Sequence, residues 1–231
     1  MFEKVSDVAT SPRLVVALAY NIAQTLAWGS CAAMLDNAVR WSVFDPTVLA
    51  SRTWPAVGAG VVLAQFIALV EPLLCLLGVI KSQVLTVCMQ LLVRNIVLML
   101  AVNRHPELQS HIAVFMFMFA WILSEVVRFP WLTCKVLGTP PPFLSLLRYA
   151  LPLVLYPLGG LGEAWTMWRA RSVLDKPDVL FSLGSTDVTL THIVHFVYMP
   201  CYLPGFAFLY LTAIKRFKKE LRNFNHKGKR D

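Results

Sequence analysis

Six long apolar stretches, separated by short polar segments, divide this chain. Each is close to the ~20 residues that an α-helix needs to cross the hydrocarbon core of a bilayer. The pattern therefore predicts an all-α polytopic membrane protein, with six transmembrane helices in one bundle and residues 1–231 forming a single domain. The predicted spans are about 14–34, 56–80, 84–102, 111–132, 146–163 and 191–214.

The fifth stretch, LLRYALPLVLYPLGGLGE, carries more polar groups than a lipid anchor requires, among them Arg148 and Tyr149. Tyr156 and Glu163 are seven residues apart, so an unbroken helix would place them on one face. The proline and glycines between them weaken a helix, which leaves their separation open at this stage. A phenol beside a carboxylic acid is a plausible acid–base pair.

Charged side chains also occur within three other spans. A charge at membrane depth costs at least ~2.5–3.5 kcal/mol and usually marks function. Glu71 and Arg94 lie at similar distances on either side of a short turn, which predicts an ion pair between them. Arg94 and Arg148 are also open to pairing with Glu125, or to binding an oxygen of a substrate. Gln90 shares a face with Arg94. Glu125 and Arg128 are three apart, and form either a local ion pair near the membrane surface or part of a site.

Composition supports the membrane class. Hydrophobic residues make up 57% of the chain and charged residues 15%, against about a quarter charged in soluble domains. The five cysteines form no CxxC pair, and His192 and His195 have no third ligand nearby in sequence. We therefore expect no metal and no cofactor.

The positive charge is concentrated at the C-terminus, where residues 215–231 hold eight Lys or Arg and two acidic residues. The chain has no groove-reading motif, so we expect no nucleic-acid partner. A basic tail directly after an apolar span predicts a cytosolic anchor on anionic lipid, with both termini cytosolic. Arg169 and Arg171 then fall on the opposite side, against that trend. Lys227 and Lys229 resemble a dilysine retrieval signal or are a basic stop at the membrane surface.

Five segments, in order along the chain, carry a resemblance to a known family. They are QFIALVEPLLCLLGVIKS, QLLVRN, WILSEVVRF, LLRYALPLVLYPLGGLGE and YLPGF. With them the chain resembles the very-long-chain 3-hydroxyacyl-CoA dehydratases, also called protein tyrosine phosphatase-like proteins. The resemblance implies a multi-pass endoplasmic-reticulum hydro-lyase of the microsomal fatty-acid elongation cycle. Such an enzyme removes water from (3R)-3-hydroxyacyl-CoA and gives trans-2-enoyl-CoA.

The resemblance also implies site residues. The catalytic pair would be Tyr156 and Glu163; in our hypothesis Glu163 takes the C2 proton and Tyr156 donates to the 3-hydroxyl, and the reverse assignment stays open. The expected partners are the acyl-CoA substrate, the bilayer and other enzymes of the elongation cycle, such as the condensing enzyme and the reductases. A supporting polar pocket would comprise Arg148, Arg94, Glu71, Gln90, Glu125, Arg128 and Gly159.

Other activities fit the sequence less well. A phosphatase needs a Cys-x5-Arg loop, whereas Cys75 is followed six residues later by Lys81 within an apolar stretch. A transporter predicts similarity between the two halves of the chain, which we do not find. A non-catalytic membrane partner or scaffold of the elongase complex would not need both Tyr156 and Glu163, and it remains the main alternative.

Overall fold

The computed structural model describes residues 11–43, 45–173 and 179–227, which are mostly helical. Six helices are long and apolar enough to cross a membrane, which confirms the predicted fold class. The six candidate spans are Pro12–Trp41, Pro46–Leu76, Val84–Val102, Ile112–Leu137, Pro142–Ala170 and Thr191–Phe224.

We number the elements in chain order. Two π-helical segments are present in the described residues: Ile96–Val102 follows the helix Val84–Asn95, and Val194–Tyr198 joins the helices Leu190–Ile193 and Met199–Lys227. The α-helices are α1 Pro12–Trp41, α2 Pro46–Ala68, α3 Glu71–Leu76, α4 Val84–Asn95, α5 Pro106–Gln109, α6 Ile112–Leu137, α7 Pro142–Val173, α8 Leu190–Ile193 and α9 Met199–Lys227, and the strands are β1 Val179–Leu183 and β2 Thr186–Thr189.

The first two spans are joined by a shorter connection than the hydrophobic pattern predicts, residues 42–45. Asp45 begins α2, because its Oδ1 accepts hydrogen bonds from the backbone N–H of Thr47 at 2.8 Å and from the Thr47 hydroxyl at 2.6 Å. These bonds hold the pKa of the Asp45 carboxyl below its usual range. The helix begins ten residues before position 56, where the apolar stretch was predicted to begin, and it continues through Pro55.

The proline- and glycine-rich part of the fifth span stays helical. α7 runs without a break through Pro152 and Pro157. Transmembrane helices tolerate proline because neighbouring groups compensate for the lost backbone hydrogen bond. Tyr156 and Glu163 therefore lie two turns apart on one face of α7, about 10 Å along its axis.

α6 is the central helix of the bundle and packs against α1, α2 and α7. Phe117, Met118 and Phe129 on this helix are fully buried. α7 approaches α6 closely at Gly162, where an added Cβ would lie 2.8 Å from the backbone oxygen of Ala113. Only glycine fits this contact, which places the next residue of α7 against the α6 surface. α9 covers the other side of α7.

A small antiparallel hairpin, β1 and β2, lies in the polar segment that precedes the sixth span. Leu183 pairs with Thr186 beside its turn, and Gly184 has a positive φ of 63°. Such a backbone angle favours glycine. The hairpin is not among the elements that the hydrophobic pattern predicts.

Candidate functional site

A cavity of about 100 Å³ lies between α4, α6, α7 and α9. Its wall is largely apolar, and a few polar side chains converge on it, which is typical of ligand sites. Tyr156 and Glu163 both line it. Gly159 and Gly160 also line it. Its polar and aromatic lining comprises Gln90, Arg94, Trp121, Ser124, Tyr156, Glu163, Cys201, Tyr202 and Phe206.

Both carboxylate oxygens of Glu163 are hydrogen-bonded, and the residue is 9% exposed. The indole Nε1–H of Trp121 donates to Oε1 at 2.7 Å. The hydroxyl of Tyr202 lies 3.0 Å from Oε2. Two neutral donors from two different helices, α6 and α9, therefore fix the position of this carboxyl group in the cavity.

Tyr156 differs from Glu163 in its hydrogen bonding. It is partly buried and lines the same cavity. Within the described ranges its hydroxyl makes no hydrogen bond to protein, so it is available to a bound molecule. The guanidinium of Arg148 acts on it electrostatically. The structure thus places both predicted residues on one cavity. Which of the two is the acid and which is the base is a matter for the proposed mechanism.

Four of the predicted charged residues form a continuous ionic network beside this cavity. Arg94 pairs with Glu125 at 2.6 Å, and Arg128 pairs with Glu125 at 3.2 Å. Arg128 also contacts Glu71, which accepts a hydrogen bond from the Tyr20 hydroxyl at 3.0 Å. The carboxylates are 3–4% exposed and the guanidiniums 18–20%. The network joins α1, α3, α4 and α6.

The predicted ion pair between Glu71 and Arg94 is wrong. The two residues lie at similar depths along antiparallel spans. Depth does not determine which face of its helix each residue occupies. The second span breaks after α2, and Glu71 begins the short helix α3, from which it reaches Arg128 on α6. The local pair of Glu125 and Arg128 is present.

A second, smaller cavity of about 20 Å³ lies within this network. Glu71, Glu125 and Arg128 line it, and Gln90 and Arg94 line both cavities. The predicted polar pocket is therefore two adjoining spaces. Arg148 lines neither of them; its charge acts on Arg128, Tyr156 and Glu125.

Arg94 connects the network to the carboxyl group in the larger cavity. Its guanidinium lies 5.0 Å from the ring centroid of Trp121, the residue that donates to Glu163. A cation at this distance over an indole is attracted by about 0.5–2 kcal/mol. The ion pairs thereby help to hold the indole, and through it the carboxyl group.

Sequence reasoning did not assign a role to Trp121, Tyr202 or Gly160. An added Cβ at Gly160 would lie 2.6 Å from the Phe206 ring and 3.2 Å from the Tyr202 hydroxyl, so glycine is needed for α9 to approach. The sequence contained a signal for them, because aromatic residues recur at every fourth position, at 198, 202, 206 and 210, from the end of the second π-helical segment into α9. Their rings stack with centroid distances of 4.8, 6.2 and 5.9 Å.

Comparison with known proteins adds evidence of ancestry. The chain is 28% identical over 215 residues to a very-long-chain (3R)-3-hydroxyacyl-CoA dehydratase of Caenorhabditis elegans, an alignment covering 88% of this chain and 93% of that protein. It is 30% identical over 161 residues to very-long-chain (3R)-3-hydroxyacyl-CoA dehydratase 2 of Mus musculus, covering 67% of this chain and 62% of the mouse protein. No solved structure matches the chain.

A family profile gives the assignment directly. The profile of the protein tyrosine phosphatase-like protein, PTPLA, matches residues 65–223, which include the lining of both cavities apart from Trp28. This range covers well over half of the chain. The protein therefore belongs to the protein tyrosine phosphatase-like (PTPLA) family.

Proposed function

We propose that this protein is a hydro-lyase that dehydrates (3R)-3-hydroxyacyl-CoA to trans-2-enoyl-CoA in very-long-chain fatty-acid elongation. One observation carries the proposal: Glu163, held by Trp121 and Tyr202, shares a cavity with Tyr156, whose hydroxyl makes no hydrogen bond to any residue that the structure describes. The dehydratase names of the aligned relatives supply the reaction class.

The reaction needs one group to take a proton and another to give one. The thioester acidifies the C2 proton, and hydroxide at C3 leaves readily only as water. Glu163 takes the proton from C2, the C2–C3 double bond forms, and the C3–O bond breaks as Tyr156 protonates the leaving oxygen. The hydrogen bonds that Glu163 receives stabilise a carboxylate, which favours it as the base. The hydroxyl of Tyr156 has no hydrogen-bond partner among the described residues, which favours it as the acid.

Arg94 and Arg148 have different roles in the proposal. Arg94 is occupied by Glu125 and by the Trp121 ring, so it supports the site from outside the reaction. In the described part of the chain Arg148 forms neither a salt bridge nor a hydrogen bond. Because it lines neither cavity, we assign Arg148 to a phosphate of the CoA rather than to the thioester oxygen beside C2.

We place the enzyme in the endoplasmic-reticulum membrane, with both termini in the cytosol. The basic residues at 215–222 extend α9 beyond the cavity-lining positions, where anionic lipid would attract them. The retrieval-signal hypothesis remains a proposal, because Lys229 lies outside the described residues. Its test is to replace Lys227 and Lys229 with Ser and follow the location; an unchanged location favours a basic stop.

The test of the dyad is direct. Purified protein in detergent is given 3-hydroxyacyl-CoA of graded chain length, and enoyl-CoA is detected by mass spectrometry. We expect Tyr156→Phe and Glu163→Gln each to lower turnover by about 10²–10⁴-fold. Near wild-type turnover in either variant contradicts the assigned dyad.

Two controls accompany this test. Tyr149→Phe removes a hydroxyl from the same helix at a ring that packs edge-on against Trp131, with centroids 5.9 Å apart, and should keep its turnover. Thermal unfolding of each variant should resemble wild type, so that lost activity is not lost folding. Wild-type protein that binds acyl-CoA of every length without forming enoyl-CoA would support the non-catalytic elongase partner instead.

A further inference from the structure

The Tyr202 hydroxyl lies within hydrogen-bonding distance of two oxygens. Glu163 Oε2 is 3.0 Å away and the backbone oxygen of Gly160 is 2.8 Å away. A phenol carries one hydrogen and can accept as well as donate. It can therefore donate to only one of these oxygens at a time, and the other contact must be satisfied differently.

The two oxygens are not equivalent partners. The Gly160 carbonyl can only accept a hydrogen bond. The Glu163 carboxyl accepts when it is ionised, and it can donate when it is protonated. Two arrangements give Glu163 a hydrogen bond: Tyr202 donates to an ionised Glu163 and not to Gly160, or a protonated Glu163 donates to Tyr202 while Tyr202 donates to Gly160.

We propose that Tyr202 is a positioning residue whose hydroxyl reverses its hydrogen bond as Glu163 gains and releases the reaction proton. This inference rests on the proposed function, because it assigns that proton to Glu163. It holds whether Glu163 begins as the base or as the acid, since both protonation states are satisfied.

The contrast with Trp121 explains why a hydroxyl is needed. An indole N–H only donates, so Trp121 binds Oε1 in either state and fixes the plane of the carboxyl group. If the group at Oε2 could also only donate, its hydrogen would point at the proton of a protonated Glu163. The two hydrogens would repel, and protonation of Glu163 would be disfavoured. A hydroxyl that can turn around removes this conflict while it keeps the carboxyl group in place.

The surroundings hold the Tyr202 ring but leave its hydroxyl free to rotate. The ring stacks on Tyr198 and Phe206, with centroids 4.8 and 6.2 Å away, and Gly160 has no side chain to displace it. The charged or titratable groups around Glu163 in the described structure are Arg94 from α4, Tyr156 on α7, Tyr198 from the second π-helical segment, and Cys201 and Tyr202 from α9.

Tyr202→Phe removes the reversible contact and leaves the ring. We expect kcat to fall about ten- to a hundredfold with little change in KM, because a buried carboxyl group loses its partner in both states. The limb of the pH profile of kcat that depends on Glu163 should move. The matched control is Tyr210→Phe, which removes a hydroxyl that donates from α9 to Leu153 of α7 at 3.2 Å, and it should change neither kcat nor the profile.

A second measurement does not depend on turnover. The infrared band of the protonated Glu163 carboxyl is identified by its loss in Glu163→Gln. It should move in Tyr202→Phe and stay in place in Tyr210→Phe. A band and a pH profile that Tyr202→Phe leaves unchanged would overturn the proposal. Wild-type protein without dehydratase activity would overturn the proposed function. The infrared band would still decide whether the hydrogen bond between Glu163 and Tyr202 reverses.

If Tyr202→Phe does not fold in detergent, Gly160→Ala provides the same test. Its new Cβ would lie 3.2 Å from the hydroxyl and 2.6 Å from the Phe206 ring, which pushes the phenol away from Glu163. The Glu163 band should then move as well. A stationary band in a folded Gly160→Ala protein would also contradict the proposal.

Discussion

Two groups of buried polar residues lie side by side in this bundle and are satisfied in different ways. In the ionic network each carboxylate faces a guanidinium, as Glu125 faces both Arg94 and Arg128. In the cavity, Glu163 makes no salt bridge within the described structure and is held by neutral donors. Paired opposite charges stabilise one protonation state, which suits a structural role. Neutral donors oppose a change of protonation much less, which suits a group that exchanges protons.

The largest effect on stability should come from removing the carboxylate that two arginines of the ionic network share. Glu125→Gln takes the shared carboxylate from two partly buried guanidiniums and leaves Glu71 as the remaining counter-charge for Arg128. Removing one partner of a buried pair costs about 3–5 kcal/mol, and we expect the free energy of unfolding in detergent to fall by that amount. Glu163→Gln should change it far less. An equal loss of stability in both variants would erase the distinction between the two regions.

An exposed pair provides the control for Glu125→Gln. The Nε of Arg40 lies 2.7 Å from Oδ2 of Asp36, and the two side chains are 76% and 60% exposed. Pairs of this kind contribute about 0–1 kcal/mol. Asp36→Asn should therefore leave unfolding close to wild type, which shows that burial rather than charge itself sets the cost.

A smaller effect should show whether the two regions are coupled. Arg94→Lys keeps a positive charge for Glu125 but loses the planar group over Trp121. We expect kcat to fall about two- to fivefold, the equivalent of about 0.5–1 kcal/mol. Lys135→Gln removes a cation that lies 5.0 Å from another indole, Trp131, and should leave kcat unchanged. If Arg94→Lys behaves like Lys135→Gln, the network and the cavity are independent.

The smallest effect concerns the helix cap outside the membrane spans. Hydrogen bonds from the Thr47 hydroxyl and from the backbone N–H groups of Thr47 and Val48 lower the pKa of Asp45. Its contribution to stability is therefore complete above the ordinary pKa of about 4. It is lost as the pH falls through the lowered value in the folded protein.

This pH dependence is measurable by a single substitution. Thermal unfolding of wild type and Asp45→Ala should differ slightly at neutral pH and converge below about pH 4. A difference that persists unchanged at low pH would contradict the capping role. Because the group is on the surface, this variant also shows how little an exposed polar contact contributes beside the buried ones.

The sequence predicts the six membrane-length helices, because hydrophobic length is what such a segment needs. It predicts the local pair of Glu125 and Arg128 from their spacing, but it does not predict the pairing of Glu71 with Arg128, since depth locates a residue along its helix and not around it. It also leaves open whether Pro157 and the following glycines interrupt α7. The close contact at Gly162 with α6 is a tertiary feature, and it places Glu163 beside Trp121. The partners of a side chain depend on such contacts, which local pattern does not contain.

The size of the larger cavity has a consequence for the proposed substrate. About 100 Å³ is well below the ~300–1,000 Å³ of pockets that enclose a drug-sized ligand. Such a space receives only the few carbons on which the reaction occurs. The remainder of a very long hydrocarbon tail must lie among the helices or in the surrounding lipid. On the proposed function, the surrounding helices and lipid would then select the length of the tail, and the thickness of the host membrane would influence which substrates are accepted.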